Sequence, residues 1–161
     1  MLRGGENHTS PVIEEHQPGT GFMDEQRAVR AAVDQWFVAL NAMLSGDPRP
    51  LAEIYSHADD VTYLGAEGNV QIGWQATYND WKAQAAMSIG GKAKGENIRV
   101  VVHGKMATAV HYTQGVLRLP GGRMARVRVR ETSVFRKERG GWRIIAHHAD
   151  STPYWESTLE M

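Results

Sequence analysis

A carboxylate standing where a strand should be apolar is the first residue of this chain that could do chemistry. Over residues 127–135, Val127, Val129, Glu131, Ser133 and Phe135 share one parity, while Arg126, Arg128, Arg130, Thr132 and Arg136 take the other. Strict period-two alternation predicts a half-buried strand with the Val/Phe side turned inward, which puts Glu131 on the buried side. Burying a carboxylate is costly unless it is paired or hydrogen-bonded, and such groups have perturbed pKa values suited to proton transfer. The next expected strand, residues 142–151, carries His147, His148, Asp150 and Ser151. A further histidine, His111, lies on the expected strand 106–117, in phase with Ala109 and Thr113. Glu131 beside His111 or His147 could shuttle a proton or hold an imidazole in one tautomer. The competing readings are an ion pair between Glu131 and an arginine of a neighbouring strand, and a hydrogen-bonded core role for His111.

Two other chemistries are weaker. His148 and Asp150 share a strand face and could begin a two-histidine, one-carboxylate metal site, but no spacing supplies His103 or His111 as the third ligand. No metal and no cofactor are therefore expected. Ser151, a histidine and Asp150 have the residue types of a hydrolytic triad. Neighbours on a strand point to opposite faces, however, and there is no Gly-x-Ser-x-Gly elbow, so a triad is rejected.

The elements that must position these groups are legible. A helix is expected over residues 24–44, with Val29, Val33, Trp36, Phe37, Leu40 and Leu44 on one stripe, Asp24 as N-cap and Ser45-Gly46-Asp47-Pro48 as the stop. Asp47 and Pro48 can open a short second helix through Leu51, Ile54 and Tyr55. Short strands at 61–64 and 70–72 precede a third helix with Trp74, Tyr78, Trp81 and Ala85 on one face, ended by Gly90-Gly91. Residues 92–95 read as a loop. Strands at 98–103, 106–117, 124–136 and 142–151 follow, joined by glycine-containing turns as sequential antiparallel neighbours. Helices first and a long meander last make an α+β fold, with helices packed on one face of a curved sheet.

The chain has 161 residues, enough for one domain with a sizeable core. Eighteen Lys+Arg balance eighteen Asp+Glu, which argues against a nucleic-acid partner. The arginines at 123, 126, 128 and 130 face away from Glu131, toward solvent or a partner subunit. There is no cysteine, so disulfides and thiolate metal sites are excluded. No apolar run is long enough to span a bilayer and the first residues lack a secretory core, so a cytoplasmic location is expected. Residues 1–22 read as a flexible arm, 23–155 as the domain and 156–161 as a tail.

Several stretches together resemble the nuclear transport factor 2-like superfamily, the cone fold of SnoaL-like proteins and ketosteroid isomerases. They are Trp36-Phe37-Val38-Ala39-Leu40-Asn41-Ala42 with Ser45-Gly46-Asp47, Leu51-Ala52-Glu53-Ile54-Tyr55 with Ala58-Asp59-Asp60-Val61, and Arg136 through Gly140-Gly141-Trp142-Arg143-Ile144. Gly68-Asn69-Val70, Thr113-Gln114, Glu131-Thr132, Gly141-Trp142 and His148…Pro153 also resemble the calcium/calmodulin-dependent kinase association domain. The resemblance implies a curved antiparallel sheet wrapped around three helices, a pocket between them and a homodimer. Where ketosteroid isomerases have their tyrosine and aspartate, this chain has Trp36 and Gly65, so that reaction is not expected. Where the kinase domain lines its pocket with arginines, it has His111, Ser133 and Ala149. This carry-over turns His111, Glu131, Ser133 and His147 toward the cavity.

The resulting expectation is a protein that binds a small apolar or aromatic molecule. Cofactor-independent isomerisation, cyclisation or dehydration would use His111, Glu131 and His147 as catalytic groups, with Trp36, Tyr63, Tyr78, Trp81 and Ser133 contacting the ligand. The alternative is a non-catalytic oligomerisation or ligand-sensing module.

Overall fold

The computed structural model describes residues 20–118 and 121–152. Its backbone is one long helix lying across a six-stranded sheet. Helix α1 (Thr20–Leu44) buries Val29, Val33, Trp36, Leu40 and Leu44 of the expected stripe, together with Ala39 and Met43, and leaves the stripe's Phe37 half-buried. Gly46, at a φ of +100°, closes its C-terminus, where Asp47 N–H donates to the Ala42 carbonyl at 2.9 Å. Helix α2 (Arg49–Ala52) follows an Asp47 carboxylate that accepts from Arg49 N–H at 3.1 Å. Strands β1 (Thr62–Leu64) and β2 (Val70–Ile72) form a hairpin, and α3 (Trp74–Ala86) packs back on it. The long meander is β3 (Gly91–His103), β4 (Met106–Arg118), β5 (Met124–Glu138) and β6 (Gly141–Ser151). Sheet order is β2-β1-β6-β5-β4-β3, antiparallel except where β1 runs parallel to β6. This is the expected α+β architecture, a curved sheet holding its helices against one face.

Three local expectations are corrected. Residues 92–95 are strand, not loop: they ladder with β4, and the Asn41 side chain clamps Ala93 by accepting its N–H at 2.8 Å and donating to its carbonyl at 2.9 Å. The first helix starts at Thr20, so Asp24 lies inside it rather than capping it, and residues 20–22 are helical rather than part of an arm. The rest of the expected arm, residues 1–19, and the expected tail lie outside the described residues. Tyr78 is the third case: the inward line of α3 is Thr77, Trp81 and Ala85, which leaves Tyr78 off it by one residue.

Two β-bulges set the facing of the interior strands. Between Glu96 and Arg99 on β3, Asn97 and Ile98 stand opposite a single residue of β4, with Asn97 at a φ of +53°. On β6, Val134 pairs with Ala146 and Phe135 with Ile144, so Ile145 is the extra residue. Before the bulge Trp142 and Ile144 are buried; after it His147 and Ala149 are. Were Ile145 an ordinary paired residue, unbroken alternation from Trp142 and Ile144 would turn His148 rather than His147 inward.

Helix α1 sits close enough to β3 that Gly95 has no room for a side chain, since a Cβ there would lie 2.5 Å from the Phe37 ring. Gly95→Ala is therefore expected to lower stability by about 1–3 kcal/mol, read as a reduced urea midpoint at unchanged m.

Candidate functional site

Cross-strand register builds a polar centre inside the apolar core. His111 on β4 stands directly opposite Glu131 on β5, and Ser133 on β5 stands opposite His147 on β6. One carboxylate oxygen, Glu131 Oε2, lies 3.6 Å from His111 Nε2 and 3.9 Å from His147 Nε2. The far nitrogen of each ring meets a hydroxyl: Ser133 Oγ is 2.9 Å from His147 Nδ1, and Thr113 Oγ1 is 3.4 Å from His111 Nδ1. The result is two hydroxyl–imidazole arms converging on one carboxylate. The histidine side chains are 1% exposed and that of Glu131 6%, so solvent does not serve as the partner.

Aromatic rings complete the shell. Trp36 packs on His147 with centroids 4.7 Å apart, Tyr63 stacks on the same ring at 5.8 Å, and Phe37 meets His111 edge-on at 5.2 Å. Trp81 contacts both Trp36 and Tyr63. This shell governs protonation. Desolvation pushes the Glu131 carboxyl up from its ordinary 4.5 to about 7, while the nearby Thr113 hydroxyl and Trp36 indole pull it back only in part. Desolvation lowers His111 from 6.5 to about 4, against a smaller raising effect of the Tyr112 backbone. It lowers His147 to about 3, helped by the proximity of His111 and His148. At neutral pH both imidazoles are uncharged, so the contacts at 3.6 and 3.9 Å are not ion pairs. Glu131 is the group that titrates near neutrality.

Hydrogen-bond accounting leaves a gap in the same place. Trp36 Nε1, Trp81 Nε1, the Tyr55 hydroxyl, His111 Nε2 and Glu131 Oε2 are all buried without a hydrogen-bond partner. Unpaired buried polar atoms are uncommon in folded proteins, and this group combines donors with acceptors.

The expected site residues divide unevenly. His111, Glu131, His147, Ser133, Trp36, Tyr63 and Trp81 come together. Tyr78 does not: it is half-buried and stacks on Trp74 at 4.8 Å, in an outer row that also contains His57. Glu131 makes no ion pair with an arginine among the described residues. His148 and Asp150 contact each other at 3.3 Å on the exposed face, where Arg130 approaches Asp150 at 3.8 Å. Among the described residues no three His, Asp or Glu side chains gather as a metal site. Thr113, Phe37 and Tyr55 are members that sequence reasoning missed. Thr113 had a signal, its two-residue spacing from His111, which mirrors that of Ser133 from Glu131.

A SnoaL-like domain family model matches residues 29–154, a span that contains every group of this centre. The chain belongs to the SnoaL-like family. No curated protein sequence matches it. Among solved structures, a candidate dehydratase of the NTF2-like family from Streptomyces avermitilis superposes with a TM-score of 0.73 at 19% identity, covering 82% of this chain and 99% of that one. An NTF2-like superfamily protein from Salmonella enterica gives 0.71 at 16% identity, covering 80% and 92%. A candidate calcium/calmodulin-dependent protein kinase II association domain from Xanthomonas campestris gives 0.67 at 22% identity, covering 93% and 99%. At these identities the likeness establishes the fold. In this SnoaL-like domain a Cβ at Gly65 would lie 2.1 Å from Asn69 Oδ1 and 2.9 Å from the Tyr63 hydroxyl, so a side chain there would displace one or both of these groups.

The charge states of the centre predict its pH behaviour. Glu131 holds its proton more tightly folded than unfolded, so its contribution to stability is full below about pH 4.5 and is lost as pH rises through about 7. The two histidines act oppositely: their contribution is full above about 6.5 and is lost as pH falls toward 4 and 3. Glu131→Gln removes only the first effect. Relative to the wild type it should gain on the order of 2 kcal/mol between pH 5 and pH 8, measured by urea denaturation across that range. A constant difference would show that Glu131 does not titrate in this window.

Proposed function

We propose that this SnoaL-like protein binds a small, largely apolar molecule carrying a carbonyl or hydroxyl group, and moves a proton on it without a cofactor. The observation that carries the reading is the buried carboxyl poised near neutrality between two uncharged imidazoles, with its Oε2 and His111 Nε2 left unpartnered. A group with a pKa near the working pH serves well both as proton acceptor and as donor. Glu131 takes the proton and returns it, while the uncharged His111 ring faces the same carboxylate oxygen. Ser133 and Thr113 can each donate to or accept from the Nδ1 they face, so either imidazole tautomer is accommodated. The unpartnered Trp36 and Trp81 N–H groups suit a carbonyl oxygen on which negative charge develops. Isomerisation, cyclisation and dehydration all begin with such a transfer, and one structural neighbour is named a candidate dehydratase. Trp36, Trp81 and Phe37 fill the space around the centre, so a ligand enters by displacing these rings.

A non-catalytic oligomerisation or ligand-sensing module is the second reading. It draws on this closed aromatic interior and on the neighbour named as a kinase association domain. We propose a homodimer acting in the cytoplasm, paired through the outer face of the sheet, where Met106 and Val110 are exposed.

The separating experiment is NMR detection of solvent deuterium exchange into small cyclic ketones and β-diketones at neutral pH. Catalysed exchange that falls at least roughly a hundredfold in Glu131→Gln, with a pH profile turning near 7, is the expected result. Saturable binding without exchange favours the sensing module, and exchange unchanged in the variant removes Glu131 from the mechanism. For the assembly, Val110→Glu is expected to convert a dimer to a monomer in sedimentation velocity; a wild-type monomer would exclude the homodimer.

A further inference from the structure

We propose a second binding site, a cationic trough across β3, β4 and β5, that takes a small organic anion with an apolar body and at least two negative charges. The register creates it. Lys92, Val116 and Arg126 form one row across the three strands, and Lys94, Gln114 and Arg128 form the next. Both rows have the parity opposite to Thr113 and Glu131, so none of these side chains belongs to the buried centre; they lie on the outer face of the sheet, at the end of β4 away from Met106 and Val110, where the proposed dimer pairs. Cations on β3 and β5 thus face each other across β4, about 10 Å apart at two strand spacings, a gap that long lysine and arginine side chains can close on one anionic group. These six residues, with Ala93, Gly115 and Val127, enclose a cleft of about 660 Å³, within the range of small-molecule sites.

Glycine lets the two strands under the trough close up. A Cβ on Gly115 would lie 2.2 Å from the Lys92 carbonyl oxygen, and one on Gly91 would lie 2.2 Å from that of Val116. The two backbones approach this closely only because both positions lack side chains. Charge is arranged to match. Glu96 is the carboxylate in reach, held by Gln114 and by Lys94 at 3.7 Å, and it offsets one of the four cations. The Arg128 guanidinium lies over the Tyr112 ring, 4.1 Å from its centroid, which holds it in place. In a chain of formal net charge +0, this end of the sheet therefore concentrates positive charge around a floor made by the Val116 side chain and the backbone of the intervening row Ala93, Gly115 and Val127. Arginine forks match phosphate and carboxylate oxygens, and the floor suits a ring or chain attached to them.

The test is titration of the full chain with 1-naphthyl phosphate, by calorimetry and by amide shifts in two-dimensional NMR. Saturable binding that weakens with added salt, with shifts at Gly115, Val116 and Arg126, is expected. The double variants Arg126→Ser/Arg128→Ser and Lys92→Gln/Lys94→Gln should each weaken it roughly tenfold or more, with thermal midpoints close to wild type. Inorganic phosphate and 1-naphthol should both bind roughly tenfold more weakly than the joined molecule. Several results would overturn the proposal: no saturable binding, binding untouched by either double variant, shifts confined to His111 and Glu131, or a double variant that changes the oligomeric state instead. Equal binding of inorganic phosphate would remove the apolar floor from it, and equal binding of naphthol the anion. Because the trough shares no residue with the buried centre, these outcomes are independent of any proton-transfer result.

Discussion

A carboxylate buried in an aromatic core must either give up its charge or find a partner, and the interior of this protein is organised around how Glu131 meets that demand. No arginine among the described residues reaches it. The neighbours that do are two imidazoles, and the same desolvation that lifts the carboxyl to about 7 drives them to about 4 and 3. Burial thus acts on acid and bases in opposite directions. It leaves one proton free to move near neutral pH and keeps the rest of the centre uncharged. Trp36, Trp81, Tyr63 and Phe37 impose this by excluding water, so the aromatic residues set the chemistry as much as the ionisable ones do.

Placing three polar groups in one spot on three strands is a register problem, and the bulges solve it. The extra residue Ile145 lets β6 bury Trp142 and Ile144 near one end and His147 and Ala149 near the other. The Asn97–Ile98 bulge does the same for β3, which buries Ala93 on one parity and Val100 and Val102 on the other. That second bulge lies opposite His111, at the level of the centre. Re-aiming a side chain beside a functional group is a recurrent use of such irregularities.

Much of this was legible in the sequence, for reasons that differ by element. Alternation in β5 runs unbroken through Val127, Glu131 and Phe135, and the structure keeps it, so the inward facing of Glu131 and Ser133 followed from periodicity alone. The α1 stripe was equally plain. His147 was different: within β6, continuing the phase of Trp142 and Ile144 would turn it outward, and only the resemblance to a fold with a central cavity turned it in. The strand character of residues 92–95 was hidden because its cause is remote. Asn41 on the helix supplies the hydrogen bonds that hold Ala93, and glycines and lysines in sequence read as a loop. Tyr78 failed for a geometric reason, since spacings of four, three and four residues do not distinguish the buried line of a helix from its flank.

The hydroxyls explain why two histidines with one carboxylate need not form a fixed triad. In a one-way relay the orienting group accepts only, and a single tautomer is locked in place. Ser133 and Thr113 each offer both a donor and an acceptor to the Nδ1 they face. When Glu131 is ionised, an imidazole can present Nε2–H to it while the hydroxyl donates to Nδ1. When Glu131 is protonated, the imidazole can accept at Nε2 and donate from Nδ1 to the same hydroxyl. With the nitrogens closed on Oε2, neither state would leave an imidazole nitrogen stranded, whereas at the observed separation His111 Nε2 and Glu131 Oε2 are both without a partner. At 3.6 and 3.9 Å the nitrogens stand beyond direct hydrogen-bond length from Oε2. The proposed proton transfer therefore needs either a small approach of the side chains or an intervening atom, and the buried indole N–H groups of Trp36 and Trp81 stand beside the centre without a partner.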